Sequence, residues 1–207
     1  MKTKSETLFE SFLAANNLPF EKIEEATTPM PDYLVSIGSG QIIFELKELA
    51  EDENFGVEDP ENSDLTNHSC TTGDHLRRRI EASKKQIQYG AKQGIPSVLL
   101  IYNNLDSFQM FGTEPRDFIE AMYGALTVLI DKPTGAVSDG FNGKDQMLQE
   151  RKNTSFSAVG HLCDGGGTTT VTLYENIFAK VQLPRNQIPP YFNVPRIEVS
   201  NEPLIFP

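Results

Sequence analysis

Asp32, Glu45 and Lys47 are the residues of this chain whose types and spacing could do chemistry. Asp32 opens the segment Asp32-Tyr33-Leu34-Val35-Ser36-Ile37, Gly38-Ser39-Gly40 follows, and Gln41-Ile42-Ile43-Phe44-Glu45-Leu46-Lys47 completes it. Gly-Ser is a two-residue hairpin turn, and β-branched and aromatic residues on either side favour strands. With Gly38-Ser39 as the loop, Ile37 pairs with Gly40 and Asp32 falls opposite Glu45. Opposed residues of an antiparallel pair share a face, with Cβ atoms about 5 Å apart, and Lys47 joins that face because side chains alternate with period two. Two carboxylates that close repel each other unless a cation lies between them, and hard oxygen donors suit Mg²⁺ or Mn²⁺. The spacing equally fits a plainer arrangement, in which Asp32 caps the start of the strand and Glu45 and Lys47 form an ion pair at the sheet margin.

The elements that must position these groups lie on both sides of the hairpin. Thr3-x-x-Glu6 fits a capping box, and Leu8, Phe9, Phe12 and Leu13 form an apolar stripe, so a helix is expected over residues 4–16. Residues 20–26 read as a short edge segment, and Thr27-Thr28-Pro29-Met30-Pro31 as extended chain. Asp74 can cap a helix reaching Gly94, with Leu76, Ile80, Ser83, Ile87 and Ala91 inward. Ser97 to Tyr102 is an almost unbroken apolar run of the kind found in buried central strands, so a crossover unit and a mixed sheet follow. Pro115 starts a further helix with Phe118, Ile119 and Met122 inward, Leu126 to Ile130 reads as a strand, and residues 132–154 as loop with a short helix at 146–151. Residues 155–163 and 168–174 read as a hairpin joined by Asp164 and three glycines, which is a turn and not a phosphate loop, since no Lys-Ser/Thr follows.

Pro31-Asp32 followed by Glu45-Leu46-Lys47 at the end of an apolar strand, with a helix before it and a polar helix and buried strand after it, resembles the PD-(D/E)XK signature of the restriction-endonuclease-like nuclease superfamily. The resemblance covers residues 4–103. It implies an α/β fold with a restriction-endonuclease-like core, a central mixed β-sheet flanked by helices. It implies hydrolysis of a phosphodiester, with Asp32, Glu45 and the backbone carbonyl of Leu46 holding Mg²⁺ (or Mn²⁺) and Lys47 orienting the attacking water or stabilising developing charge. An acidic residue on the first helix, Glu10, would join the metal site, and Gln86, or Lys85 beside it, would line it. Glu10 and the α-helical Gln86 also fit ordinary solvated positions.

Arg77, Arg79, Lys84 and Lys85 form a local basic stretch that could meet phosphate, although a solvated helix face would look the same. The chain as a whole is acidic, with 18 Lys and Arg against 29 Asp and Glu and a net charge of −11, which excludes a broad non-specific nucleic-acid surface. The partner expected is nucleic acid, DNA ahead of RNA, with no membrane, and a homodimer is compatible with the sequence. Two further readings stay open: a catalytically silent nuclease-fold module that binds nucleic acid or a protein, and a hydrolase of small phosphate esters.

At 207 residues, one nuclease-like domain over 1–183 and a Pro-rich C-terminal arm over 184–207 are expected. The acidic loop at 48–73 carries His68 and Cys70 and reads as disordered or as a lid. Cys70 and Cys163 lie far apart with no zinc-ligand spacing, and His161 on a strand reads as structural. No apolar run reaches the roughly 18 residues of a membrane span, and Met1 to Thr7 lack the apolar stretch of a secretory signal, so a cytoplasmic protein is expected.

Overall fold

The structure, a computed structural model, describes residues 2–24, 27–49, 72–106, 108 and 111–199. It is an α/β fold built on a seven-stranded mixed sheet. The chain runs α1 (Lys4–Ala15), β1 (Phe20–Lys22), β2 (Tyr33–Ile37), β3 (Gly40–Leu49), α2 (Asp74–Ala82), α3 (Lys84–Lys92), β4 (Ser97–Asn103), α4 (Pro115–Tyr123), β5 (Leu126–Thr127), β6 (Phe141–Asn142), β7 (Ala158–Cys163), β8 (Thr170–Glu175) and β9 (Phe192–Asn193). The sheet order is β1-β2-β3-β4-β7-β8-β9, while β5 and β6 pair apart from it. Strands β3, β4 and β7 are mutually parallel, and their neighbours β2 and β8 run antiparallel to them.

Each face of the sheet buries its own apolar cluster. On one face α1 inserts Phe9, Phe12 and Leu13 against Tyr33, Val35, Phe44 and Leu46. Fully burying side chains of this size is worth roughly 1.5–3 kcal/mol each. The reciprocal capping box holds the start of α1: Glu6 N–H donates to Thr3 Oγ1 at 3.2 Å and Thr3 N–H to Glu6 Oε2 at 2.8 Å. On the other face α2, α3 and α4 place Leu76, Ile80, Ile87, Phe118 and Met122 against Leu99, Ile101 and Val159. Strand β4, with all seven residues buried, is the common centre of both, as its unbroken apolar run predicts.

Several elements differ from the sequence reading. The single helix expected from Asp74 to Gly94 is two, broken at buried Ser83, whose φ of −90° and ψ of 0° leave the helical region. Serine is a weak helix former, and Ile80 on α2 and Ile87 on α3 are both buried in the same cluster, as their seven-residue spacing on one helix face predicts. Asp74 is the first residue of α2 and pairs with Arg77; the capping position is Gly73, in the left-handed region at φ 78°. The Leu126 to Ile130 run forms strand only at Leu126–Thr127, and Leu126, Val128, Leu129 and Ile130 are exposed, away from the main sheet. Residues 146–151 form no helix; the chain there makes a turn closed by a Gln149–Lys152 bridge. The Pro-rich arm, expected at 184–207, is packed on the sheet where it is described: β9 pairs with β8 and Phe192 is buried with the α1 cluster, as is Leu183 just before the arm. Most of the acidic stretch 48–73, including His68 and Cys70, lies outside the described residues, as does 200–207. Among the described residues, no helix is long and apolar enough to cross a membrane.

Candidate functional site

The candidate site exists because β3 outlasts β2. The ladder between them runs from Ile37↔Gly40 to Tyr33↔Phe44, and β3 continues to Leu49. Pro29 and Pro31 lead into β2, and a proline lacks the N–H that a longer ladder would need. Asp32 marks the last step. Its N–H donates to Phe44 O at 3.2 Å, and its Oδ2 accepts the Leu46 N–H at 2.7 Å, in the place of a backbone partner. The N–H and C=O of one strand residue turn to the same side, so the Leu46 carbonyl also faces this gap.

The register expected from the Gly-Ser turn is the one observed, and it sets Asp32 beside Glu45. Glu45 is 1% exposed, its Oε1 is held by Lys47 Nζ at 2.6 Å, and its buried Oε2 meets no donor among the described residues, with the Asp32 carboxyl close enough to share a proton with Glu45. Burial, and then the adjacent Asp32 charge, push the Glu45 carboxyl up to about 7, with Lys47 pulling the other way. Burial also raises Asp32, against the Leu46 N–H and Lys47, which favour its ionised form. The result is a pair of carboxyl groups that resist ionising together, one of them, Glu45, paired with the partly exposed Lys47 ammonium.

These groups open into a cleft of about 450 Å³ bounded by Asp32, Glu45, Lys47, Gln86, Thr28 and Pro29. Gln86 is placed by the close approach of α3 to the sheet. A Cβ on Gly90, one turn further along, would stand 2.4 Å from Ser97 Oγ and 2.6 Å from Ile43 Cδ1, so glycine is what lets that helix face lie against the strands. A second cleft, of about 650 Å³, meets the first at Asp32 and Lys47 and extends past Leu46 to Glu6, Lys22 and Glu48.

The first helix contributes Glu6 to this second cleft, not the expected Glu10. Glu10 accepts from the Tyr33 hydroxyl at 2.9 Å and pairs with Lys2, and it lines neither opening. Glu6 holds Lys22 Nζ at 2.6 Å. Glu48 Oε1 accepts the Ser5 N–H at 2.7 Å, tying the start of α1 to β3. Glu6 could have been found from the sequence, since it lies one helical turn from Glu10 on the same face; Glu48 depends on how α1 docks and carries no local signal.

The expected phosphate-binding residues separate. Arg77 is buried: its guanidinium bonds Asp74, the Asp145 carbonyl at 3.1 Å and the Glu120 carbonyl at 3.1 Å, so it cross-ties α2, α4 and a loop. Lys84 pairs with Glu81 at 2.6 Å. Arg79 is half-buried on α2, across the Ser83 break from Gln86, and Lys85 is exposed on α3.

Among the described residues, no group of three or more His, Cys, Asp and Glu side chains could hold a metal ion. The Asp32 and Glu45 carboxyls with the Leu46 carbonyl are a smaller oxygen set, of the kind Mg²⁺ completes with waters. The unpartnered buried Glu45 Oε2 is the atom a cation would satisfy. No family model, curated protein or solved structure matches the chain.

Proposed function

We propose that the protein is a metal-dependent phosphodiesterase of restriction-endonuclease-like fold that cuts nucleic-acid strands in the cytoplasm. The observation that carries this reading is Glu45: a buried carboxyl with a free oxygen, set by strand register beside Asp32 and Lys47 at the floor of an open cleft. Keeping an unsatisfied carboxyl oxygen buried costs stability, and such groups gather where chemistry is done.

Asp32, Glu45 and the Leu46 carbonyl are the groups that would hold Mg²⁺ or Mn²⁺. Bound there, the ion would polarise a phosphoryl oxygen and lower the pKa of a water. The chain's own part is positioning. The Leu46 N–H fixes the Asp32 carboxylate in one orientation. Lys47, 30% exposed at its side chain, can leave Glu45 and meet the negative charge that builds on the phosphate. Gln86 offers amide donors from the opposite wall. The acidic surface, at net charge −11, means that contact with a polyanion must be local.

The closed Glu45–Lys47 ion pair supports a second reading, a silent module in which the pair is only structural. Calorimetric titration with Mn²⁺, wild type against Glu45→Ala, followed by incubation with single- and double-stranded DNA and RNA, separates the two. Mn²⁺ binding lost in the variant, with cleavage of at least one substrate by the wild type, is the expected result. A wild type that binds no Mn²⁺ and cuts nothing overturns the proposal in favour of the silent module. Cleavage of small phosphate esters alone would move the substrate class instead.

A further inference from the structure

Helix α3 turns one face to the cleft and an adjacent face to solvent. On the solvent face Lys85, Tyr89 and Lys92, with Thr28 and Pro29 opposite, bound a shallow groove of about 480 Å³. Thr28 and Pro29 also bound the cleft that holds Asp32, Glu45 and Lys47, so the two depressions share a wall and run on from one another. Lys85, Tyr89 and Lys92 follow the four- and three-residue spacing that stacks side chains along one helix face. Lys85 and Lys92 are therefore about 10 Å apart along the axis, with the phenol ring between them.

Three properties set this groove apart. Tyr89 is 37% exposed. The other exposed aromatics lie elsewhere: Phe20 packs edge-on against Tyr33, and Phe108 and Phe111, although more exposed, line neither this groove nor the cleft. Neither Lys85 nor Lys92 forms an ion pair with any described residue, whereas Lys84, next in sequence, is bound to Glu81. The chain carries eleven more acidic than basic charges, and here two lysines that no described carboxylate pairs flank an exposed aromatic ring, which makes the groove locally basic.

We infer that this α3 groove is a docking track for an unpaired polynucleotide strand, with a base stacked on Tyr89 and flanking phosphates on Lys85 and Lys92, leading into the cleft. The inference rests on the phosphodiesterase reading for where the strand goes, and on the groove alone for what it binds. An aromatic face is open to a base only when that base is unpaired, since a duplex buries its base faces in the stack. Stacking is tolerant of sequence because every base has a π-face, and lysines supply the phosphate attraction without base readout. A duplex would meet the two lysines but leave the ring unused. The substrate class is then single-stranded nucleic acid, or a single-stranded end or flap, and the groove specifies no sequence.

The test is fluorescence anisotropy of the full chain, in EDTA, with labelled oligo-dT, oligo-U and a DNA hairpin duplex of equal length. The wild type is expected to bind an oligomer of at least one sugar type more tightly than the duplex. Tyr89→Ala should weaken that binding on the order of tenfold, while Tyr89→Phe, which keeps the π-face, should retain it. The Lys85→Ala/Lys92→Ala pair should flatten the slope of log K against log salt by about 1.4, at about 0.7 per phosphate on a single strand. Equal affinity for duplex and single strand, or an unchanged Tyr89→Ala, overturns the inference. Because the assay contains no divalent ion, it stands apart from cleavage. Tyr89-dependent binding without any cutting by the wild type in Mn²⁺ would remove the phosphodiesterase and leave the track. Cutting that is indifferent to Tyr89→Ala, with no loss of binding, would do the reverse.

Discussion

Lys47 and His161 occupy one row of the sheet, separated by Ile101, and Glu45 and His161 both carry a buried polar atom that no donor or acceptor among the described residues pairs, Glu45 having only the neighbouring Asp32 carboxyl beside it. Burial is the largest influence on each. It raises Glu45 to about 7 and lowers His161 to about 4. What differs is company and access. Glu45 has Asp32 and Lys47 beside it and a cleft in front of it. His161 lies 5.7 Å from the Phe118 ring, and burial is the one cause of its shift. At both positions the displaced pKa reports burial first; opposed charges and an opening turn one of the two into a candidate for chemistry.

That contrast can be broken by activity first. Lys47→Ala should reduce cleavage on the order of 100- to 1,000-fold, as loss of one group that meets transition-state charge does elsewhere, whereas His161→Leu should leave the rate unchanged in the same assay. A His161→Leu variant as poor in that assay as Lys47→Ala would erase the distinction.

Stability against pH gives the next effect. Glu45 binds its proton more tightly folded than unfolded, so the native state holds more protons between the usual 4.5 and about 7, and stability falls as pH rises through that window. Glu45→Gln removes the penalty. Urea unfolding in EDTA should show the variant gaining on the wild type by about 3 kcal/mol between pH 4 and pH 8. A constant offset across that range would mean that Glu45 titrates normally.

His161 has the opposite sign and a smaller effect. Its folded pKa is depressed, so the unfolded chain takes up a proton first as pH drops below 6.5, and stability is lost on the way down to about 4. His161→Leu should remove about 2 kcal/mol of wild-type sensitivity between pH 7 and pH 5, read as a difference of slopes.

The sequence shows the hairpin, its register and the Asp32–Glu45 pairing because turn type and period-two alternation are local. The same holds for α1 with its capping box and for β4 with its unbroken apolar run. Features made by packing are hidden. The Ser83 break depends on where α2 and α3 meet the sheet, and the burial of Arg77 on carbonyls from α4 and a loop. Glu6 and Glu48 face the site only because α1 docks across β3. Leu126 to Ile130 shows the converse error, in which residue types that favour strands are left exposed outside the sheet.

The uneven lengths of β2 and β3 have a consequence for solubility. Beyond Phe44, no described strand pairs with β3 on the β2 side, and a bare strand edge is a template on which another chain can add. Here the edge is blocked by its own chemistry. Asp32 occupies the Leu46 N–H, prolines precede β2, and Lys47 and Glu48 put charge along the exposed rim. The groups that make this end of the sheet the candidate site also guard it against the addition of another strand.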